Sequence, residues 1–598
     1  MSRPRSAQEL VHWLEVGAGA RWVRLAAVVT VTLAISLRVA WTQFQGPATE
    51  ITLLQADVGR QLARGEGFTT QVNFPQTAAF LKQRGFEFTP DAALPELYHA
   101  PLYSIAIGGV LAVLPDATRD ALFAAAPVPP DGFRADYLLL GLNLVLLWLA
   151  GWMTFVLARS IFDARVAWLA AFALLVSVPV WQQTVLANGT PLLMVLGLLA
   201  FWIWQRIDRD AEERGGDVRW AGLLALGAAC GLLFLAEYSA GVLVLVAGGY
   251  AFVRLTGRRR WRAVAAIAAG FCVVSAPWTI RNLQLTGSPV GLALHNVALK
   301  AGDTTAEPAT FRATLSADAP RLDLKKLGNK VLTSVQENLK ARLWSGGAMW
   351  FTAFFVAGWL YAFRSPVANR LRWVFSAALG VLLLAQATLN SGESERPVIV
   401  WLTPLIVVFG AGFFFVLIGS SPRIGQMPRL AATVLLLVQA LPLAHDALEP
   451  RRLHFHYPPY FPGLFRVMKA ELESREQLGK FGLMADVPAG VAWYADTRVW
   501  AQPPRMRDFY AITLEQPIGE LLLTPKTLDR PFFSELNARP ILPGTLSQLP
   551  NRFGEWGGVY AGLLTGTMPR DFPLGAPQKL AENLYVLLNP LLPPVRGK

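Results

Sequence analysis

The chain has 598 residues, of which 53% are hydrophobic and only 16% are charged. Soluble domains carry about 25% charged residues, so this composition excludes an ordinary soluble protein, a disordered chain and a collagen-like chain. The formal net charge is +13. Its basic residues lie in short clusters between apolar runs, which argues against nucleic-acid binding. Two cysteines, Cys230 and Cys272, lie inside apolar runs and indicate neither a disulfide framework nor a metal site.

The apolar residues are concentrated in long runs. A helix needs about 20 apolar residues to cross a bilayer, so the runs predict a polytopic α-helical membrane protein with about 11–13 transmembrane helices. The first run follows a basic segment without a clear cleavage site, and we expect it to stay as a span. The predicted spans are 23–41, 102–115, 136–158, 165–183, 190–206, 219–236, 239–254, 261–280, 347–363, 372–389, 397–418 and 429–445.

Arginine clusters orient these spans. The positive-inside rule places the short basic loops in the cytoplasm and leaves 281–346, 390–396 and everything after about 446 outside. With a basic N-terminus inside, twelve crossings would return the C-terminus to the cytoplasm. Either one segment does not cross fully or one more crosses, and the candidates for an incomplete crossing are 102–115 and 165–206.

The sequence predicts two domains. Residues 1–445 form a transmembrane domain with outer loops 42–100 and 281–346, and the second loop is expected to contain an amphipathic helix around Leu322–Leu343. Residues 446–598 predict a small α/β domain outside the membrane, because short apolar runs alternate there with helix-like stretches. The runs are Gly482–Val487, Gly490–Tyr494, Glu520–Leu523 and Tyr585–Leu588, and the helix-like stretches include Phe465–Leu478 and Asp529–Ala538.

The first outer loop contains the candidate catalytic residues. Glu50 and Asp57 are seven residues apart, which places them on one helix face, with Arg60 following and a helix end expected at Gly65 and Gly67. A carboxylate at the mouth of a membrane bundle can act as a general base toward a hydroxyl or amine. The alternative is a solvated helix with ordinary surface charges.

Three further segments supply candidate binding residues. His99 and Tyr103 flank Pro101 at the start of the second span, where they would bind a phosphate or orient a carboxylate, or simply form an interfacial aromatic belt. Arg281, next to Asn282, and Arg396 lie at outer helix ends. Each would hold a lipid phosphate or, for Arg281, serve as an interfacial anchor. Arg396 is the better phosphate candidate, because it begins a helix whose positive end already favours an anion. The sequence has no Walker A loop, no HExxH motif and no Cys/His metal cluster.

In this order, these pieces resemble the GT-C superfamily of integral-membrane glycosyltransferases, in particular glycosyltransferase family 39. That family includes protein O-mannosyltransferases and the lipid A aminoarabinose transferase. Its acid beyond the first span corresponds to Glu50, fifteen residues before Gly65. The other matching segments are His99-Ala100-Pro101-Leu102-Tyr103, Pro277-Trp278 with Arg281-Asn282, Gly287 and Pro289, Glu395-Arg396 with Pro404, and Ala485–Asp496.

The resemblance implies a GT-C fold and an inverting transfer at the outer face of the bacterial inner membrane, with no metal. The donor would be a sugar on a polyprenyl phosphate such as undecaprenyl phosphate, and the acceptor a protein, lipid A or a glycan. Glu50 or Asp57 would be the base. Arg281 and Arg396 would stabilise the leaving phosphate, with Arg60, His99, Tyr103 and Asn282 as further binding residues. The family's usual acid is Asp, so the choice between Glu50 and Asp57 stays open.

Two other functions fit a polytopic chain. A lipid or glycan transporter or flippase would show internal symmetry and charges within its spans. Glu237 lies near a span end, but the sequence contains no internal repeat. A GT-C-like envelope protein without catalysis is the other alternative.

Overall fold

The computed structural model describes residues 19–47, 49–87, 89–90, 92–124, 132–213, 218–299, 312–345, 348–389, 396–452, 462–528 and 554–593. Most of these residues form a bundle of apolar helices. Its helices are, in chain order, α1 Gly19–Gln43, α2 Glu50–Ala63, α3 Pro75–Gln83, α4 Leu102–Val113, α5 Asp116–Ala124, α6 Arg134–Ile161, α7 Ala164–Leu175, α8 Val178–Val185, α9 Thr190–Glu213, α10 Trp220–Ala236, α11 Leu243–Arg254, α12 Gly257–Thr286, α13 His295–Ala298, α14 Leu324–Glu337, α15 Leu343–Ser345, α16 Trp350–Ala357, α17 Pro366–Leu389, α18 Val398–Trp401, α19 Thr403–Gly419 and α20 Pro428–Leu448.

Six of the described helices are long and apolar enough to cross a membrane: α1, α6, α9, α12, α17 and α20. Shorter apolar helices fill the other predicted spans. Both candidates for an incomplete crossing have distinctive shapes. Helix α4 has 12 residues and is about 18 Å long, against a hydrocarbon core of about 30 Å. Within 165–206, α7 and α8 are bent by 50° at a short break. The number of full crossings remains a prediction.

Small residues allow the helices to pack closely. Helices α10 and α12 cross at Gly227, where a Cβ atom would lie 2.0 Å from the carbonyl oxygen of Ile267. Any larger residue would force the two backbones apart. Such small-residue contacts are typical of helix pairs in membranes, where dispersion replaces the hydrophobic effect as the main attraction.

The second unit comprises the described residues 462–528 and 554–593 and is built on a mixed sheet with helices on both faces. It is called the outer unit because the charge pattern predicts it outside the membrane. Its helices are α21 Gly463–Ser474, α22 Pro488–Ala495, α23 Met506–Glu515, α24 Pro525–Leu528 and α25 Gly557–Thr565. The strands among the described residues are β1 Thr69–Thr70, β2 Val72–Asn73, β3 Leu94–Pro95, β4 Gly482–Ala485, β5 Val499–Ala501, β6 Ile518–Leu523, β7 Gln578–Ala581 and β8 Leu584–Leu588. The sheet order is β2-β5-β4-β6-β8-β7, with β1 and β3 forming a separate antiparallel pair.

One edge of this sheet comes from the first outer loop. Strand β2 runs parallel to β5, with Val72 opposite Val499 and Asn73 opposite Trp500. Successive side chains of each strand point to opposite faces. Accordingly, Leu483 and Val499 join a core that continues into the bundle, whereas Met484 and Trp500 pack with α23 and α25 on the other face. The outer loop and the C-terminal segment therefore share one sheet.

One tail prediction is wrong in its element type. The apolar run Gly490–Tyr494 lies in helix α22 rather than in a strand. Every residue of α22 is buried, so the run shows no periodicity that could distinguish helix from strand, and Pro488 in its first turn favours a helix. The predicted helix Phe465–Leu478 corresponds to α21, and the predicted helix Asp529–Ala538 lies outside the described residues.

Candidate active site

A cavity of about 250 Å³ lies at the N-terminal end of α2 and is called the first cavity below. Its wall combines the first turns of α2, the segment before α4, the break between α10 and α11, the turn before α13, and two arginines. Helix α2 begins there because Thr49 caps it, accepting a hydrogen bond from the amide of Thr52 at 3.2 Å. The predicted end of this helix, at Gly65 and Gly67, is confirmed.

Arg396 is a buried cation on this wall, with 6% of its surface exposed. Its Nη1 donates to the carbonyl oxygen of Ala236 at 3.2 Å and lies 3.5 Å from the carboxylate of Glu237. Its Nη2 donates to Gln55. The guanidinium lies over the ring of Tyr103, 5.7 Å from its centroid. Tyr103 therefore supports Arg396 from behind, and Glu237 compensates its charge.

Arg312 is the second buried cation on the wall, with 7% of its surface exposed. Its guanidinium stacks on Tyr98 at 4.4 Å from the ring centroid, and Nη1 lies 3.2 Å from Nε2 of His99. Its Nε has no hydrogen-bond partner among the described residues, and none of the ion pairs between them involves it. The nearby carboxylate of Glu96 lies on the far side of His99, so Arg312 reaches the cavity wall without a direct ion pair to a described residue.

His99 links Arg312 to Glu96. Nδ1 of His99 lies 2.9 Å from Oε1 of Glu96. A guanidinium can only donate, so Nε2 of His99 accepts from Arg312 and the ring is neutral, with its proton on Nδ1. Burial and the charge of Arg312 lower the pKa of His99, which agrees with this state. Burial alone would raise the pKa of Glu96, but the contact with His99 and the nearby charge of Arg312 outweigh it and lower that pKa to about 2.

The two candidate bases lie in different surroundings. Glu50 is the first residue of α2, beside the wall residue Ile51, and its carboxylate pairs with Lys526 of α24. Asp57 is fully buried behind the wall. It accepts hydrogen bonds from Arg60 at 2.9 Å, from the Thr70 hydroxyl at 2.9 Å and from the Gln71 amide at 2.8 Å.

Arg60 connects α2 to the outer unit. It donates to the carbonyl oxygens of Trp493 at 3.0 Å and Ala492 at 2.6 Å, as well as to Asp57. These two carbonyls belong to the last turn of α22, where helix carbonyls lack partners and carry partial negative charge. On the neighbouring side, the buried Asp136 accepts from the indole of Trp493 at 2.9 Å. Both contacts hold α22 on the bundle.

Arg281 and Asn282 make hydrogen bonds to the backbone of the two predicted outer loops, 42–100 and 281–346. Nη1 of Arg281 donates to the carbonyl oxygen of Glu96 at 3.1 Å, and Nη2 donates to that of Phe68 at 3.2 Å. Asn282 donates to the carbonyl oxygen of Pro289 at 3.3 Å. Neither residue lies on the wall of the first cavity.

Of the residues predicted from the sequence, His99 and Arg396 line the first cavity, Tyr103 lies directly behind it, and Glu50 lies beside it. Sequence reasoning missed Gln55, Arg312 and, as a site residue, Glu237. Glu237 had a usable signal, because a single acid between two apolar runs marks a functional position. Gln55 also had a usable signal, because it follows Ile51 by four residues and therefore lies on the same helix face. Arg312 belongs to no motif.

No protein-family model matches the sequence, and neither does any curated protein. Solved structures do match. The oligosaccharyltransferase of Archaeoglobus fulgidus in its apo form has a TM-score of 0.51 and 12% identity, over 85% of this chain and 70% of that one. ArnT from Cupriavidus metallidurans, solved with undecaprenyl phosphate, has a TM-score of 0.50 and 13% identity, over 96% and 99%.

The fold is therefore similar to that of these two proteins, in agreement with the fold that the resemblance implied. At 12–13% identity these two likenesses show the fold alone. The reaction that this chain can perform is therefore inferred from the arrangement of its own cavity residues.

Proposed function

We propose that this chain is a membrane glycosyltransferase that moves a sugar from a polyprenyl-phosphate donor to an acceptor at the outer face of the bacterial inner membrane. The main observation that supports this proposal is that two buried guanidiniums, Arg312 and Arg396, line one cavity at the end of a GT-C bundle. The acceptor is a hydroxyl or amine of a protein, lipid A or a glycan.

The charges of the cavity favour a phosphate. Burying a cation is unfavourable unless an opposite charge compensates it, and Arg312 has no ion-pair partner among the described residues. A phosphate would supply that charge and accept hydrogen bonds from both guanidinium groups. The described wall has one carboxylate, Glu237, whereas divalent cations prefer several oxygen ligands. This donor set supports a monophosphate leaving group held by arginines. The structure of ArnT with undecaprenyl phosphate supports the same class of lipid.

In the proposed reaction, Glu50 takes the proton from the acceptor, whose oxygen or nitrogen attacks the anomeric carbon with inversion. The bond from that carbon to the phosphate oxygen breaks, and the electron pair leaves with the lipid phosphate. Arg312 and Arg396 stabilise the developing negative charge, so no general acid is needed. Before the acceptor arrives, the carboxylate of Glu50 pairs with Lys526, which the acceptor would displace.

Asp57 and Glu237 are the alternative bases. Three donors already engage the carboxylate of Asp57, which disfavours its role. Glu237 lies on the wall, but Arg396 compensates its charge.

The test uses purified protein in detergent with a panel of radiolabelled undecaprenyl-phosphate sugars and isolated envelope acceptors. Release of free undecaprenyl phosphate should require wild-type protein and stop in Glu50→Gln. The matched control is Glu515→Gln. Glu515 belongs to α23 of the outer unit and also pairs with a lysine, Lys82 of α3. Activity that survives Glu50→Gln and is lost in Glu237→Gln or Asp57→Asn would reassign the base. Donor binding without any release would favour the transporter or the non-catalytic alternative.

A further inference from the structure

A second cavity of about 510 Å³ lies between the C-terminal end of α2, the β1–β2 segment and the outer sheet. Its volume falls within the range of about 300–1,000 Å³ that is usual for ligand sites. The first cavity is at the other end of the same helix. Because α2 has 14 residues and is about 21 Å long, the second cavity is separate from the candidate active site.

The charges on the wall of the second cavity balance. The described lining contains three basic side chains, Arg64, Lys469 and Arg498, and three acidic ones, Glu66, Glu473 and Asp496. The first cavity, in contrast, has two guanidiniums and one carboxylate. The second cavity therefore offers no net attraction for a phosphate or another anion.

The remaining polar groups are mostly side-chain amides, contributed by Gln61, Gln71, Asn73 and Gln516. An amide donates and accepts hydrogen bonds, and so does a sugar hydroxyl. Three of these amides have an atom without a hydrogen-bond partner in the part of the chain that the structure describes: Nε2 of Gln61, Oε1 of Gln71 and Oδ1 of Asn73. Gln61 is 4% exposed and Asn73 is 1% exposed, and buried polar atoms rarely go without hydrogen bonds.

The cavity is preformed by contacts between its two sides. The β2–β5 pairing fixes Asn73 beside Trp500. Arg64 binds both carboxylate oxygens of Asp496, at 2.8 and 2.6 Å, and Gln71 donates to the same carboxylate at 2.8 Å. A rigid, preorganised wall loses little conformational entropy when a ligand binds.

We infer that the second cavity binds an uncharged saccharide. This inference rests on the proposed function, in which the bound saccharide is the part of a glycan acceptor that is remote from the reacting hydroxyl. The acceptor would then run along α2, with its reacting end at the first cavity and its distal sugars between the outer loop and the C-terminal sheet.

Binding is tested on the full-length protein in detergent by calorimetry and saturation-transfer NMR. The probes are maltotriose, mannotriose and chitotriose, with inorganic phosphate as the anionic comparison. We expect at least one trisaccharide to bind and phosphate not to compete. Gln61→Leu should weaken binding about threefold to tenfold, the usual effect of losing one hydrogen bond. Thr497→Val, a nearly isosteric change on the same wall, should act in the same direction if Gln61→Leu does not fold.

The matched control is Gln502→Leu, because Gln502 belongs to the outer unit but does not line this cavity. The inference is overturned if no trisaccharide binds, if phosphate displaces the saccharide, or if the cavity variants behave like the control. Its failure is distinguishable from failure of the proposed function, because saccharide binding needs no donor and should persist in Glu50→Gln. Binding without transfer would refute the transferase and leave the saccharide site in place.

Discussion

Replacing Arg60 by methionine tests whether this residue joins the outer unit to the bundle or binds substrate. Its guanidinium has 2% side-chain exposure and pairs with Asp57, which is fully buried. Methionine fills most of the volume but removes the cationic partner of Asp57, which keeps its two neutral donors, and the donor to two carbonyl oxygens of α22. Removing one partner of a buried pair costs about 3–5 kcal/mol, which corresponds to roughly 6–20 °C in melting temperature for a domain of 150–250 residues.

The assay follows tryptophan fluorescence on heating, without substrate, together with limited proteolysis of the outer unit. Arg60→Lys should be intermediate, because lysine keeps the charge but not the fork of donors. Arg64→Met is the matched control. Arg64 pairs with Asp496 at 38% and 32% side-chain exposure, and such pairs contribute about 0–1 kcal/mol. If Arg60→Met melts like wild type and loses only donor or acceptor binding, Arg60 is the substrate-binding residue that the sequence predicted.

Three further outcomes are expected. Arg312→Gln and Arg396→Gln should each weaken undecaprenyl phosphate binding about 10- to 150-fold, from about 1.5–3 kcal/mol per charged hydrogen bond, whereas an equal loss in Arg281→Gln would contradict the assignment. Burial and the neighbouring Glu471 raise the pKa of Glu520 from 4.5 to about 8. The folded state therefore binds the extra proton, and stability should fall as the pH rises from 4.5 to about 8. Glu520→Met should reduce the change of melting temperature with pH and should melt at a higher temperature than wild type at pH 8. An unchanged pH dependence would show that Glu520 does not cause it. Gly291 has φ +64°, and its Cβ would lie 2.2 Å from the carbonyl oxygen of Leu97. Gly291→Ala should therefore lower the melting temperature and weaken donor binding, and normal values for both would contradict this packing.

The membrane part of the fold could be predicted because its signal is local. Twenty-residue apolar runs and arginine clusters are visible without any long-range information. Each predicted run contains apolar helix, although 165–183 divides into α7 and α8 and 397–418 divides into α18 and α19. The outer sheet could be predicted only in part. Strand β2 has two residues and becomes a strand through its pairing with β5, so no periodicity within 42–100 could indicate it. Helix α22 was misassigned for a related reason, since complete burial removes the polar face that marks a helix.

In the candidate site, too, the residues with a local sequence signal could be predicted and those that depend on distant contacts could not. His99 and Arg396 could be placed at the cavity because each precedes an apolar run that positions it. Arg60 and Arg281 were also expected to bind substrate. In the structure their guanidiniums bond to backbone carbonyls of distant segments, and sequence spacing does not reveal such partners. Arg312 was missed because its role depends on Tyr98 and His99, which are brought to it by folding.

The shared sheet has a consequence for biogenesis. The loop that supplies β2 is synthesised early, whereas its partner strand β5 follows more than 400 residues later. Arg60 and Trp493, which make contact beside this sheet, are 433 positions apart. Contacts of such separation form slowly, and unpaired strand edges attract other chains until they close. The outer unit therefore completes its fold only after the whole bundle has been inserted, and a C-terminal fragment expressed alone would expose the edge of β5 that β2 normally covers.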